Sequence, residues 1–97
     1  MPTYVILGKY TQEGITKIKE APQRLEAARQ VAKSLGGEIK EFYLTMGRYD
    51  FVVISEGPSD EAAMQSLLIT GSRGTVKTET LVAFPAEKAL EIIKKLP

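Results

Sequence analysis

Apolar residues recur along this chain at two periods, and the alternation between them predicts its elements. Thr3 to Tyr10 (TYVILGKY) is β-branched and aromatic and predicts a first strand. Gln12 to Lys19 is helical in character, and Pro22, tolerated only in a helix's first turn, restarts the helix after a kink. Leu25, Ala28, Val31, Ala32 and Leu35 then follow at spacings of three and four, one buried helical face. Gly36-Gly37 supplies a left-handed stop. Glu38 to Met46 predicts a second strand, Gly47-Arg48-Tyr49 a tight connection, and Asp50 to Ser55 a third strand in hairpin with it. Ser59 is placed to cap the next helix, with Asp60 and Glu61 in its first turn and Ala63, Met64, Leu67 and Leu68 as its buried face. Gly71 to Gly74 ends that helix, Thr75 to Phe84 predicts a fourth strand, and Pro85 opens a last helix, Ala86 to Leu96, with Ala89, Leu90, Ile93 and Leu96 on one face.

The order β-α-β-β-α-β with a C-terminal helix is the α+β, ferredoxin-like plan. It predicts one domain over residues 1–97, a four-stranded antiparallel sheet, and the strand order 4-1-3-2. The central strands carry the sharpest signal. Tyr4-Val5-Ile6-Leu7 and Phe51-Val52-Val53-Ile54 are unbroken apolar runs, whereas a sheet with one wet face should alternate apolar with polar. Tyr4, Ile6, Phe51 and Val53 share one face; Val5, Leu7, Val52 and Ile54 share the other. The two helices between strands can shelter one face only. Burying four such side chains is worth roughly 6–12 kcal/mol, so a second subunit packed sheet on sheet is expected. We expect Tyr4, Ile6, Phe51 and Val53 at that dimer interface. The competing arrangement folds the last helix over the face.

The run from Gly47 to Leu81 adds a resemblance. Gly47-Arg48-Tyr49-Asp50, Phe51-Val52-Val53, Ser59-Asp60-Glu61 and Gly74-Thr75-Val76-Lys77-Thr78-Glu79-Thr80-Leu81 together resemble the GYD domain family, named for its Gly-Tyr-Asp signature. Tyr4-Val5, Tyr10-Thr11, Gly14-Ile15 and the Pro22–Arg24 region agree with it as well. The resemblance implies a ferredoxin-like subunit that pairs into a dimeric α/β barrel, and it implies no particular activity.

Composition narrows the function classes. Of the 97 residues 43% are hydrophobic and 26% charged, the balance of an ordinary globular domain. The absence of both cysteine and histidine excludes thiolate nucleophiles, disulfides, Cys/His zinc sites and histidine bases. No metal and no cofactor are therefore expected. No apolar run approaches 18 residues and the first residues do not read as a secretory signal, so a cytoplasmic protein with no membrane contact is expected.

Candidate ligand-pocket residues are Tyr10, Tyr43, Tyr49, Asp50 and Glu79. Tyrosine rings with hydroxyls make pocket walls, and Asp50 is placed either to receive a ligand or to bond backbone N–H groups beside the turn. Glu79 is either a base in a cavity or an edge-strand charge. Arg24, Arg48 and Arg73 are candidates for contact with an anion. Three functions follow. The favoured one is a homo-oligomeric module binding or sensing a small molecule. The second is a cofactor-independent enzyme of the dimeric α/β barrel type, with acid/base work falling to Asp50, Glu79, Glu41 or a tyrosine. The third is an RNA-binding module: Gly47 to Ile54 lines up partly with an RNA-recognition strand, with Tyr49, Phe51 and Val52 in register. Ile54 cannot stack on a base, and 13 Lys+Arg against 12 Asp+Glu leave a net charge of only +1, so nucleic acid ranks last.

Overall fold

A computed structural model describes residues 1–97. Its elements run β1 (Thr3–Tyr10), α1 (Gln12–Thr16), a 3₁₀ turn (Ile18–Glu20), α2 (Ala21–Ser34), β2 (Glu38–Leu44), β3 (Phe51–Glu56), α3 (Asp60–Ser72), β4 (Val76–Ala83) and α4 (Ala86–Lys94). All strands pair antiparallel in the order β2-β3-β1-β4, the 4-1-3-2 order expected from the chain. The first helical stretch breaks earlier than expected. α1 stops at Thr16 and Pro22 lies in the first turn of α2, where its missing N–H leaves no bond unmade. Gly36 stops α2 at φ 84°, and Ser59 Oγ caps α3 by accepting from the Ala62 N–H at 3.1 Å.

The register fixes which side chains share a face. Ile6 pairs with Val53, Gly8 with Phe51, and Tyr4 with Ser55, so this set turns toward α2 and α3. A bulge at Lys40 lets Ile39 and Phe42 both join it from β2. Tyr4, Phe51 and Val53 form the buried core, at 3%, 6% and 6% exposure. These residues and Ile6 are the ones expected between subunits, and that expectation is corrected: they lie beneath the chain's own helices. Two contacts set the choice of face. The Tyr4 hydroxyl donates to Asp60 Oδ1 at the start of α3, at 2.6 Å. The Phe51 ring occupies the space over Gly8, where a Cβ would fall 2.0 Å from the ring.

The opposite face carries two rows across the sheet, Glu41–Ile54–Val5–Leu81 and Tyr43–Val52–Leu7–Glu79. No helix covers it. α4 does not fold back over it, since apart from half-buried Ala89 every residue of α4 is exposed, including Leu90 at 56% and Ile93 at 58%. The radius of gyration is 14.6 Å, above the ~13 Å usual for a chain of this length, as an outlying helix requires. α3 also departs from expectation. Its inner side is Ala62, Ala63, Ser66, Leu67 and Thr70, while Met64 and Leu68 are exposed at 55% and 63%. No helix is long and apolar enough to cross a membrane.

Candidate functional site

The helices bring Leu25, Leu35 and Leu67, with several small side chains between them, onto a sheet that presents large ones. Ala21, Ala28 and Ala32 of α2 and Ala62 and Ala63 of α3 face Tyr4, Ile6, Phe42, Phe51 and Val53. The alanines leave part of the space between the layers unfilled, and a cavity of about 440 Å³ remains. Its walls are mostly apolar.

At one end of the cavity the Tyr10 ring packs on Phe51 at 5.2 Å, and Phe42 stacks on Phe51 at 5.6 Å. Arg24 borders this end but is occupied: it donates to the carbonyls of Lys17 and Gly14, both at 3.1 Å, holding the end of α1 to α2. Burial raises the Tyr10 hydroxyl above its ordinary pKa; the Arg24 charge opposes that rise and Asp50 adds to it. Along the β4 side run Thr78 and Thr80, facing Ser66 and Thr70 of α3. Arg73, at the end of α3, lines the cavity as well.

Asp50 is a structural residue here. Its Oδ2 accepts from the Tyr10 N–H at 2.8 Å, at the point where β3 has ended and β1 still needs a partner. Its own N–H donates to the Gly8 carbonyl, and its carbonyl accepts from the Thr45 N–H, both at 2.8 Å. The signature aspartate thus closes the sheet at the hairpin. Thr45 Oγ1 donates to the Tyr49 carbonyl at 2.6 Å, which holds the same turn.

The remaining candidates separate. Tyr43, Tyr49 and Glu79 belong to the open face of the sheet, where the Tyr49 hydroxyl donates to Glu79 Oε1 at 3.3 Å and Lys9 Nζ lies 5.7 Å from the Tyr49 ring centre. Only Tyr10, Arg24 and Arg73 of the eight candidates border the cavity. Arg48 is exposed at the hairpin. Thr78, Thr80, Ser66 and Thr70, which line the cavity, were not among the residues singled out from the sequence. The available signal was the run of alanines on the inner helical faces.

At the far end, burial and the bond to Asp60 push the Tyr4 hydroxyl up to about 12. An unfolded tyrosine ionises near 10, so folding keeps the proton on. Stability should therefore be level below pH 10 and fall between pH 10 and 12, as only the unfolded chain loses this proton. Urea midpoints measured from pH 8 to 11.5 check this. Tyr4→Phe should flatten the alkaline fall and, by removing the bond to Asp60, cost about 1 kcal/mol at pH 7. An equally steep fall in the variant would assign it to other groups.

Comparison with known proteins agrees with this architecture. A feast or famine regulatory protein from M. tuberculosis, solved with L-methionine, superposes with a TM-score of 0.67 at 15% identity over 89% of this chain. The chain spans about half (52%) of that protein, and at this identity the likeness concerns the fold alone. A crystal structure from Thermus thermophilus matches at a TM-score of 0.51 and 26% identity, over 89% of this chain and 96% of that one. In sequence, the glutamine synthetase and cystathionine beta-lyase binding protein of Thermus thermophilus is 30% identical over 95 residues, 97% of this chain and 100% of its own length. The GYD domain model matches residues 4–93, and with the Gly47–Asp50 turn closing the sheet as described, the chain belongs to the GYD domain family.

Proposed function

We propose that this chain is a regulatory module that binds a small molecule in the cavity between sheet and helices and works as a homodimer paired through its open sheet face. The cavity carries this reading. At about 440 Å³ it lies within the ~300–1,000 Å³ of ordinary ligand sites, and no side chain of the protein fills it. Binding is favoured over catalysis by its chemistry. The polar lining is mostly hydroxyls and arginines, and Glu56, the one acidic residue of the lining, turns its side chain by register to the opposite face, 4.0 Å from Lys40.

The open face supports self-association. Val5, Leu7, Val52 and Ile54 remain half-buried with nothing of their own chain above them, and Leu81 is 47% exposed beside them. A second sheet packed about a two-fold axis would cover this face, completing a dimeric α/β barrel. The Thermus relative's name, which states that it binds two enzymes, supports an action exerted through protein partners.

Naphthalene tests the cavity, because it is apolar, uncharged and small enough to enter. Titration followed by methyl and aromatic NMR should shift Ile6, Leu25, Phe51 and Val53 together. Absence of shifts there at the solubility limit would remove the ligand-binding reading.

A further inference from the structure

We propose that the ligand is a monocarboxylic acid with an apolar body, its carboxylate held at the Tyr10 end of the cavity by Arg73. This rests on the cavity-binding reading above.

Both basic residues that line the cavity, Arg24 and Arg73, lie toward its Tyr10 end. Arg24, Arg73 and Tyr10 converge at one end through a chain of contacts. The Thr11 hydroxyl, next to Tyr10, donates to the Gly74 carbonyl at 2.7 Å, and Gly74 follows Arg73. Tyr10 pairs with Val76, just past Thr75, and Gly14, whose carbonyl receives Arg24, lies so close to Thr75 that a Cβ on it would be 2.1 Å from the Thr75 carbonyl oxygen. Arg24 and Arg73 thus both lie toward the Tyr10 end of an apolar chamber. Arg24 has two of its N–H groups committed to carbonyls. Arg73 is free: its guanidinium appears in none of the chain's five ion pairs and donates no hydrogen bond within the chain. Two carboxylates lie at this end and each has a partner in the chain: Asp50 Oδ2 accepts from the Tyr10 N–H at 2.8 Å, and Glu13, whose Oε2 comes within 3.4 Å of where a Cβ on Gly74 would stand, pairs with Lys17 at 3.9 Å.

An unpaired guanidinium at the rim of an apolar wall selects for a planar anion attached to an apolar body. The hydroxyls of Tyr10 and Thr78, which also line the cavity, are donors for such a carboxylate. A free inorganic anion would make no use of the apolar walls. An amine would meet two positive charges.

Octanoate, 1-octanol and octylamine share a tail and differ in head group, and calorimetric titration of all three, below micelle-forming concentrations, tests the inference. Octanoate is expected to bind at least about tenfold more tightly than 1-octanol, and octylamine more weakly than either. Arg73→Gln should bring octanoate down to the 1-octanol value and leave 1-octanol unchanged; the residue is exposed at a helix end, so the fold is expected to survive. Octanoate should shift the NMR signals of Tyr10 and Phe51. Octanoate binding no tighter than 1-octanol would overturn the carboxylate assignment, while bound naphthalene would still uphold the cavity. A preference that persists in Arg73→Gln would overturn the role of Arg73. Shifts at Tyr43 and Tyr49 without shifts at Tyr10 would place the acid on the open face and end the proposal.

Discussion

Val52→Asp is expected to leave the chain folded and to break the homodimer proposed above. Val52 sits in the middle of the open face, between Tyr43 and Leu7 in register, with Glu79 at the end of the same row. In a free subunit the new carboxylate meets water and costs little. Between two sheets it would be buried without a partner, once in each subunit, at several kcal/mol each. Sedimentation velocity at micromolar concentration should show the mass halved, and far-UV circular dichroism should remain unchanged. A natural chain that sediments as a monomer, or a variant that still dimerises, would show that this face is not the interface.

The neighbouring residue should behave in the opposite way. Phe51→Ala is expected to cost about 3–5 kcal/mol, a large part of the ~5–15 kcal/mol that holds a domain of this kind together. The ring lies across the space that Gly8 leaves open and touches Tyr10 and Phe42 on either side, so its removal unseats the packing of three strands. Phe51→Asp should unfold the chain outright rather than split a dimer. Urea denaturation of Phe51→Ala, read beside that of Val52→Asp, measures the contrast directly. If Phe51→Ala lost under 1 kcal/mol, the helices would not be packed on this face as described.

Much of the site was out of reach of a linear reading, and particular residues show why. Asp50 and Gly47 marked the hairpin by residue type, since aspartate and glycine have few other uses beside a tight turn. That Asp50 bonds the Tyr10 N–H follows only once β1 and β3 are aligned. Glu79 and Tyr49 lie 30 positions apart and meet on the open face through the β1–β4 and β1–β3 registers. Arg73 and Arg24 border one chamber because α2 and α3 lie side by side over the sheet, and neither helix alone implies that. Hydrophobicity alone places Met64 and Leu68 inward, yet alanine, serine and threonine with Leu67 take the inner side of α3 and leave them outside.

The order of residues is enough to specify the succession of elements, the antiparallel sheet, the strand order and the family, because local periods and turn residues act over a few positions and the connections leave little topological choice. It also specifies that both faces of the central strands are apolar. Which face goes under the helices emerges only in three dimensions. A period of two makes the two faces equal to any local rule, and the choice falls to contacts between distant residues, Tyr4 with Asp60 and Phe51 over Gly8. The cavity emerges there too, since empty volume belongs to no residue and arises only when alanine-faced helices meet an aromatic sheet.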